Sequence, residues 1–169
     1  MKMKSKLFLF LLLPCVAAMS AFTLASVNWQ TYNDYSGGYS VQLPGDPFTT
    51  INKKVHYASA SIEADGNDIG FYVHWKVAKK LSGSKIQTEG EKFMNYFGIE
   101  KQSFPTPKMI SGNGYTAYEY NYKSSATDVP ITARIIYKDG VMYHLEVATW
   151  DGHCDQSWTD TFLNSFKFN

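Results

Sequence analysis

Residues 131–149 are Ile131-Thr-Ala-Arg-Ile-Ile-Tyr137, Lys138-Asp-Gly140 and Val141-Met-Tyr-His-Leu-Glu-Val-Ala-Thr149, and they show the clearest two-residue alternation in the chain. Alternation on both sides of a short turn that contains glycine predicts an antiparallel β-hairpin. The rest of the predicted fold is built outward from this hairpin.

The register of the hairpin depends on the length of its turn. A two-residue turn would place Lys138 opposite Val141, and the apolar residues of the second strand would then share a face with Arg134. A three-residue loop places Tyr137 opposite Val141 and collects the apolar side chains on one face. We predict the three-residue loop, with Gly140 in the left-handed conformation, because a half-buried antiparallel sheet has one apolar and one solvated face.

The first 25 residues have the pattern of an export signal. Three lysines are followed by an apolar run at residues 7–13 and then by small residues, with Ala25 at the expected cleavage site. The apolar run is shorter than a membrane-spanning helix. Cys15 follows Pro14 rather than a small residue, which argues against a lipoprotein. We therefore predict a signal peptide at residues 1–25 and a single exported domain at residues 26–169, periplasmic or extracellular, with no membrane-spanning segment after cleavage.

Charge and cysteine content exclude several classes of partner. After cleavage the chain would carry 13 basic and 15 acidic side chains, a formal charge of −2, and Arg134 is its single arginine. This balance gives no electrostatic reason to expect nucleic acid or an anionic membrane as a partner. Cys154 would be the one remaining cysteine, so no intramolecular disulfide is expected.

Other segments extend the predicted sheet and supply helices. Residues 39–43, 54–63, 69–77 and 115–123 alternate as strands do, and the last of these collects its tyrosines at 118, 120 and 122 on one face. A helix is predicted to begin near Ser84 and to stop at Gly98, and Asp155 is placed to cap a second helix. The sequence therefore predicts an α+β domain in which an antiparallel sheet of about six strands is packed against helices.

The hairpin at residues 54–77 carries two of the four histidines. Centring its turn on Gly66 sets Tyr57 opposite Trp75, and this register leaves His56 and His74 together on the polar face. The two histidines are therefore predicted to be diagonal neighbours.

Three motifs resemble those of the PsbP-like proteins and their exported bacterial relatives. They are Tyr39-Ser-Val-Gln-Leu-Pro-Gly-Asp-Pro47, the hairpin from Ala133 to Leu145, and Phe162-Leu-Asn-Ser-Phe166. The resemblance implies an α/β/α sandwich built on an antiparallel sheet. The founding members of that family are non-catalytic accessory subunits in photosynthetic oxygen evolution, but these motifs are structural and do not carry that role to this chain.

Five residues offer the chemistry of a metal site. His56 and His74 are predicted on one sheet face, His144 lies on the corresponding face of the central hairpin, and His153 and Cys154 are adjacent in a loop. Imidazole and thiolate are ligands that zinc accepts, but no HxxxH or CxxC spacing is present. Histidines on a solvated sheet face are the simpler interpretation, and we leave His56, His74, His153 and Cys154 as weak metal candidates.

No catalytic motif is evident. The chain has no Gly-x-Ser-x-Gly elbow, and Cys154 beside His153 is not a nucleophile–base pair by adjacency alone. We therefore expect no enzymatic activity and no cofactor. The expected function is that of an exported accessory or binding module of the cell envelope with an unknown protein partner. The alternative is a carrier of a small apolar ligand, held in a pocket between sheet and helices.

Overall fold

The computed structural model describes residues 27–64, 67–97, 102–150 and 155–169, so the predicted signal peptide and Cys15 lie outside the described residues. The strands and helices follow in chain order: β1 (Trp29–Asp34), β2 (Tyr39–Pro44), β3 (Phe48–Asn52), β4 (Val55–Ala64), β5 (Asn67–Val77), α1 (Ser84–Phe97), β6 (Lys108–Gly112), β7 (Tyr115–Lys123), β8 (Pro130–Lys138), β9 (Val141–Thr149), α2 (Gln156–Ser165) and β10 (Lys167–Phe168).

The strands form two antiparallel sheets. The larger sheet has seven strands in the order β3-β4-β5-β9-β8-β7-β6, and the smaller has three in the order β1-β2-β10. The α+β class is therefore confirmed, while the predicted sheet of about six strands is replaced by these two sheets. The central strands β5, β9 and β8 bring the two hairpins side by side.

The central hairpin has a two-residue turn, so the predicted three-residue loop is wrong. Lys138 pairs with Val141, and Ile136 pairs with Tyr143. Asp139 and Gly140 have φ angles of 50° and 83°, the two positive values that characterise a type I′ turn. Gly140 is left-handed as predicted, but it sits in a turn that is one residue shorter.

The charged residues that argued against this register are accommodated on the apolar face. Arg134 is 8% exposed. Its Nε donates to Glu119 Oε2 at 2.7 Å, and its Nη1 donates to the Leu163 carbonyl oxygen at 2.7 Å. The Nζ of Lys138 lies 4.1 Å from the centre of the Phe168 ring, within cation–π distance. The prediction assumed that water would solvate Arg134 and Lys138. In the structure, an ion pair and an aromatic ring take the place of that water.

Both faces of the seven-stranded sheet are covered over its central strands, which corrects the prediction of one solvated face. The face that we call the small-sheet face carries Phe71 and Leu145, and it packs against β2 and against Phe162 of α2. Its buried side chains form the larger of the two cores. The seven-stranded sheet is thus the middle layer of a sandwich, as the resemblance to PsbP-like proteins implied.

The opposite face, which we call the helix face, packs against α1. Phe93 and Met94 of the helix bury themselves against Ile135 and Met142 of the central strands. The helix approaches closely because Gly90 has no side chain: a Cβ atom there would lie 2.5 Å from Ile135 Cγ2. The predicted tyrosine face of β7 also belongs here, since Tyr118, Tyr120 and Tyr122 pair with β8 residues of this face.

The outer hairpin is also displaced by one residue from its predicted register. His56 pairs with Trp75, and Tyr57 pairs with His74. Successive side chains of a strand point to opposite faces of the sheet. A shift of one residue therefore moves every side chain of one strand to the other face relative to the paired strand. His56 therefore lies on the small-sheet face, whereas His74 lies on the helix face.

Candidate functional site

Two of the four predicted metal candidates, His56 and His74, lie in the described part of the chain, and they are on opposite faces of the sheet. His56 stacks on Trp75 with ring centres 3.7 Å apart, on the opposite side of the sheet from His74. Their predicted proximity is therefore wrong. His153 and Cys154 lie outside the described residues. Among the residues that the structure describes, no three His, Cys, Asp or Glu side chains come together as metal ligands would.

The structure instead joins His74 of β5 to His144 of β9. The two residues are directly paired across the strands, and their Nδ1 atoms lie 3.2 Å apart. His74 is 3% exposed and His144 is fully buried. The Phe97 ring of α1 stacks on His74 at 3.7 Å and closes the pair off from the helix side.

Burial keeps both imidazoles neutral. Desolvation, followed by the neighbouring His144, holds the pKa of His74 well below its ordinary value of 6.5. Desolvation alone lowers the pKa of His144 to about 3. One Nδ1 of the pair must therefore carry the hydrogen that the other accepts, since neutral imidazole has one donor and one acceptor nitrogen.

Glu146 lies next to the histidine pair on the same face. Its Oε2 is 3.3 Å from His144 Nε2, yet this buried Nε2 has no hydrogen-bond partner among the described residues. Burial raises the pKa of Glu146 to about 7. On the helix face, the Glu146 carboxyl group therefore changes its charge near neutral pH, whereas the adjacent His144 imidazole stays neutral there.

Two tyrosines flank this carboxyl group. Burial first, and then the charges of Tyr57 and Glu146, raise the pKa of the Tyr72 phenol to about 12. Burial and the Glu146 carboxylate likewise raise the pKa of Tyr122 above its ordinary value. Both phenols stay neutral at physiological pH, so they offer hydroxyl groups and aromatic surface rather than charge.

Glu146 also lines a cavity of about 180 Å³ beneath the end of α1. Aromatic side chains make up much of its wall: Phe97, Phe104, Tyr122 and Trp150. The side chain of Gln102 secures this region, because it donates to the Lys123 carbonyl oxygen and accepts from the Ser125 backbone N–H. These hydrogen bonds fix the position of the Gln102 side chain, which is part of the cavity wall.

A second feature lies beyond the end of α1, where the helix face is less covered. The helix packs chiefly on β8 and β9. Phe48 of the edge strand β3 is 66% exposed, and its ring meets Tyr57 at 6.3 Å. Tyr57 meets Tyr72 at 6.2 Å, and both tyrosines are half-buried. We call Phe48, Tyr57 and Tyr72 the aromatic face.

Sequence reasoning missed the burial of Glu146, although a signal was present. His144 and Glu146 alternate with Tyr143 and Leu145 in a strand whose apolar residues already filled one face. A polar pair in the middle of a central strand was interpreted as solvated, when the presence of α1 over those strands made it buried. Whether His144 and Glu146 are solvated or buried depends on the strand order, which the sequence did not supply.

A scan against protein-family models and a search of curated proteins each found no match. Among solved structures, the fold matches the solution structure of cyanobacterial PsbP (CyanoP) from Synechocystis sp. PCC 6803, with a TM-score of 0.62 and 17% sequence identity. The match covers 89% of this chain and 98% of that chain. In the described residues, no helix has the length and apolar character needed to cross a membrane. The chain has a PsbP-like fold, as its three sequence motifs indicated.

Proposed function

We propose that this chain is an exported, non-enzymatic accessory module that binds a protein partner through the aromatic face. One observation carries the proposal: Phe48, Tyr57 and Tyr72 form a continuous row of rings on a part of the sheet that α1 does not cover. Tyrosine and phenylalanine are enriched in interface cores because they supply large contact areas at a small cost in conformational entropy.

The exposure of the edge strand β3, which carries Phe48, supports the same proposal. All five residues of β3 are exposed, and Phe48 projects on the same side as Tyr57, since Phe48 pairs with Ser59 of β4. A large apolar side chain left at the edge of a sheet is a common feature of surfaces that a partner covers. The pattern of an export signal at residues 1–25 supports a location outside the cytoplasm.

The alternative function, a carrier for a small apolar ligand, receives less support. The cavity between the sheet and the end of α1 measures about 180 Å³, below the range of about 300–1,000 Å³ that is typical of ligand pockets. A larger groove of about 560 Å³ lies near the start of α1, but Ser111, Gly112, Gly114 and Thr116 on its wall are exposed. An open groove of this kind does not enclose an apolar molecule.

The test is site-specific photo-crosslinking in cells that export the protein. A photoreactive phenylalanine analogue replaces Phe48 in one variant and Met109 in the other. Met109 is the matched control, because it is also 66% exposed and also lies on an edge strand, at the opposite end of the same sheet. We expect one discrete crosslinked protein from position 48 and none from position 109.

A Tyr57→Ser substitution in the position-48 variant should then remove that product. The substitution deletes the aromatic ring next to position 48 from the surface that the partner would contact. Identical products from both positions, or a position-48 product that survives Tyr57→Ser, would refute the proposal. Circular dichroism of each variant checks that the fold is retained.

A further inference from the structure

Glu146 is a largely buried carboxyl group that has no lysine or arginine partner among the described residues. In the part of the chain that the structure describes, its one ion-pair contact is the His144 imidazole at 3.3 Å, and burial keeps that imidazole neutral. The Glu146 side chain is only 17% exposed, and what is exposed lines the cavity beneath the end of α1. An ionised carboxylate placed in such surroundings is destabilised unless a positive charge joins it.

The walls of the same cavity suit a positive charge of a particular kind. The rings of Phe97, Phe104, Tyr122 and Trp150 all line it, and the Phe104 and Tyr122 rings meet edge to face with centres 5.1 Å apart. The faces of aromatic rings attract organic cations, and groups of such rings recognise quaternary ammonium ions. A strongly hydrated metal ion would find Glu146 as the one carboxylate in this lining, and no group of three His, Cys, Asp or Glu ligands occurs among the described residues.

The size of the cavity restricts the ligand further. Its volume of about 180 Å³ is far below that of a drug-sized pocket, and corresponds to about six water molecules. This space admits a small head group rather than a drug-sized molecule. Trp150 lines the cavity and is 38% exposed, so this part of the wall reaches solvent.

We propose that this cavity binds a small organic ammonium ion, with Glu146 as its counter-ion and the surrounding aromatic rings as its walls. The proposal does not depend on a protein partner, because the cavity and the aromatic face share no residue. Either proposal can fail while the other stands.

Binding of this kind has a defined dependence on pH. A cation favours the ionised carboxylate, whereas burial alone favours the protonated form and raises the pKa of Glu146 to about 7. His144 of β9, Tyr72 of β5 and Tyr122 of β7 lie beside Glu146. All three remain neutral near pH 7, because burial lowers the pKa of the imidazole and raises the pKa of each phenol. The affinity for a permanently charged ammonium ion should therefore rise as the pH increases through about 7 and then level off.

Choline and its neutral carbon isostere dimethylbutanol provide the sharpest test, because they share one shape and differ in charge. Each is titrated into the full exported protein by calorimetry and by two-dimensional NMR, with the indole N–H of Trp150 as the reporter. We expect choline to bind saturably and dimethylbutanol to bind about tenfold more weakly. The Glu146→Gln variant should lose this preference, while Glu89→Gln, on the exposed side of α1, should keep it.

The results separate the possible outcomes. Equal affinities for choline and dimethylbutanol would show a merely apolar cavity and overturn the proposal, as would a choline affinity that Glu146→Gln leaves unchanged. Absence of saturable choline binding at any pH between 6 and 8 would overturn it as well. Co-sedimentation with phosphatidylcholine vesicles distinguishes the source of the ammonium group, because only recognition of a lipid head group would carry the protein down with the vesicles.

Discussion

Replacing Glu146 by glutamine should make the protein lose stability more steeply in acid. In the folded chain burial raises the pKa of Glu146 from 4.5 to about 7. The stability that this group contributes is therefore fully present below its unfolded pKa and is lost as the pH rises through about 7. The histidine pair acts in the opposite sense. The folded pKa values of His74 and His144 are lowered from 6.5, so their contribution is present above 6.5 and is lost as the pH falls.

The magnitude follows from the count of protons. As the pH falls below about 6.5, the unfolded chain takes up protons at two histidines whose pKa values are lowered in the folded chain. Over the same range, above about pH 4.5, the folded chain holds one proton at Glu146 that the unfolded chain releases. Each unmatched proton changes the free energy of unfolding by about 1.4 kcal/mol per pH unit. These groups therefore lower the free energy of unfolding of the natural protein by about 1.4 kcal/mol for each unit by which the pH falls. Glu146→Gln should lose about 2.7 kcal/mol per pH unit, because the opposing proton is gone.

The assay is urea denaturation at several pH values across this window, followed by tryptophan fluorescence. Glu63→Gln is the control, since Glu63 is exposed on β4 and should give a curve parallel to that of the natural protein. A Glu146→Gln curve that is also parallel to the natural one would show that Glu146 is not protonated in the folded state. The account of the buried site would then be wrong.

Three further predictions concern the fold that holds the site. Arg134→Met should lower the free energy of unfolding by about 3–5 kcal/mol in urea melts, because Glu119 is left buried without its partner, and the second substitution Glu119→Leu should restore most of the loss. Gly90→Ala should cost about 1–3 kcal/mol by the same assay despite the better helix propensity of alanine, and in an Ile135→Ala background it should become neutral or stabilising. Asp139→Val should lower the free energy of unfolding by about 1–2 kcal/mol, whereas Asp139→Asn should not, because only the two-residue turn holds this residue at positive φ. Equal melts for the two variants would contradict that turn.

Turn chemistry predicted the central hairpin better than the pattern of its faces. An Asp-Gly pair between two alternating segments is among the strongest signals of a type I′ turn, and the structure has that turn at Asp139-Gly140. The face pattern argued otherwise because Arg134 was assumed to need water. Its partners are Glu119 on the next strand and the Leu163 carbonyl oxygen of the last helix. Neither contact is visible without the tertiary fold.

The elements that the sequence predicted well are those with a local cause. The strand Tyr39–Pro44, the helix Ser84–Phe97 and the N-cap Asp155, whose carboxylate accepts from the Ser157 backbone N–H at 2.8 Å, each follow from periodicity or from a capping residue. The edge strand Phe48–Asn52 was missed because all five of its residues are exposed, so it has no alternation to detect. Periodicity reports burial, and it therefore cannot report an edge strand that buries nothing.

The candidate site depends on register more than on composition. A step of one residue in the outer hairpin moved His56 to the small-sheet face and left His74 against His144. Two imidazoles and the Glu146 carboxyl group then lie under a helix, where leucine or valine would stabilise the sheet more, since His144 Nε2 has no hydrogen-bond partner among the described residues. The unpaired His144 Nε2 is a cost in stability to the fold. A cost of that kind is expected where a buried group serves binding rather than folding, which is why the cavity beside Glu146, and not the histidine pair alone, is the part of this site to test with a ligand.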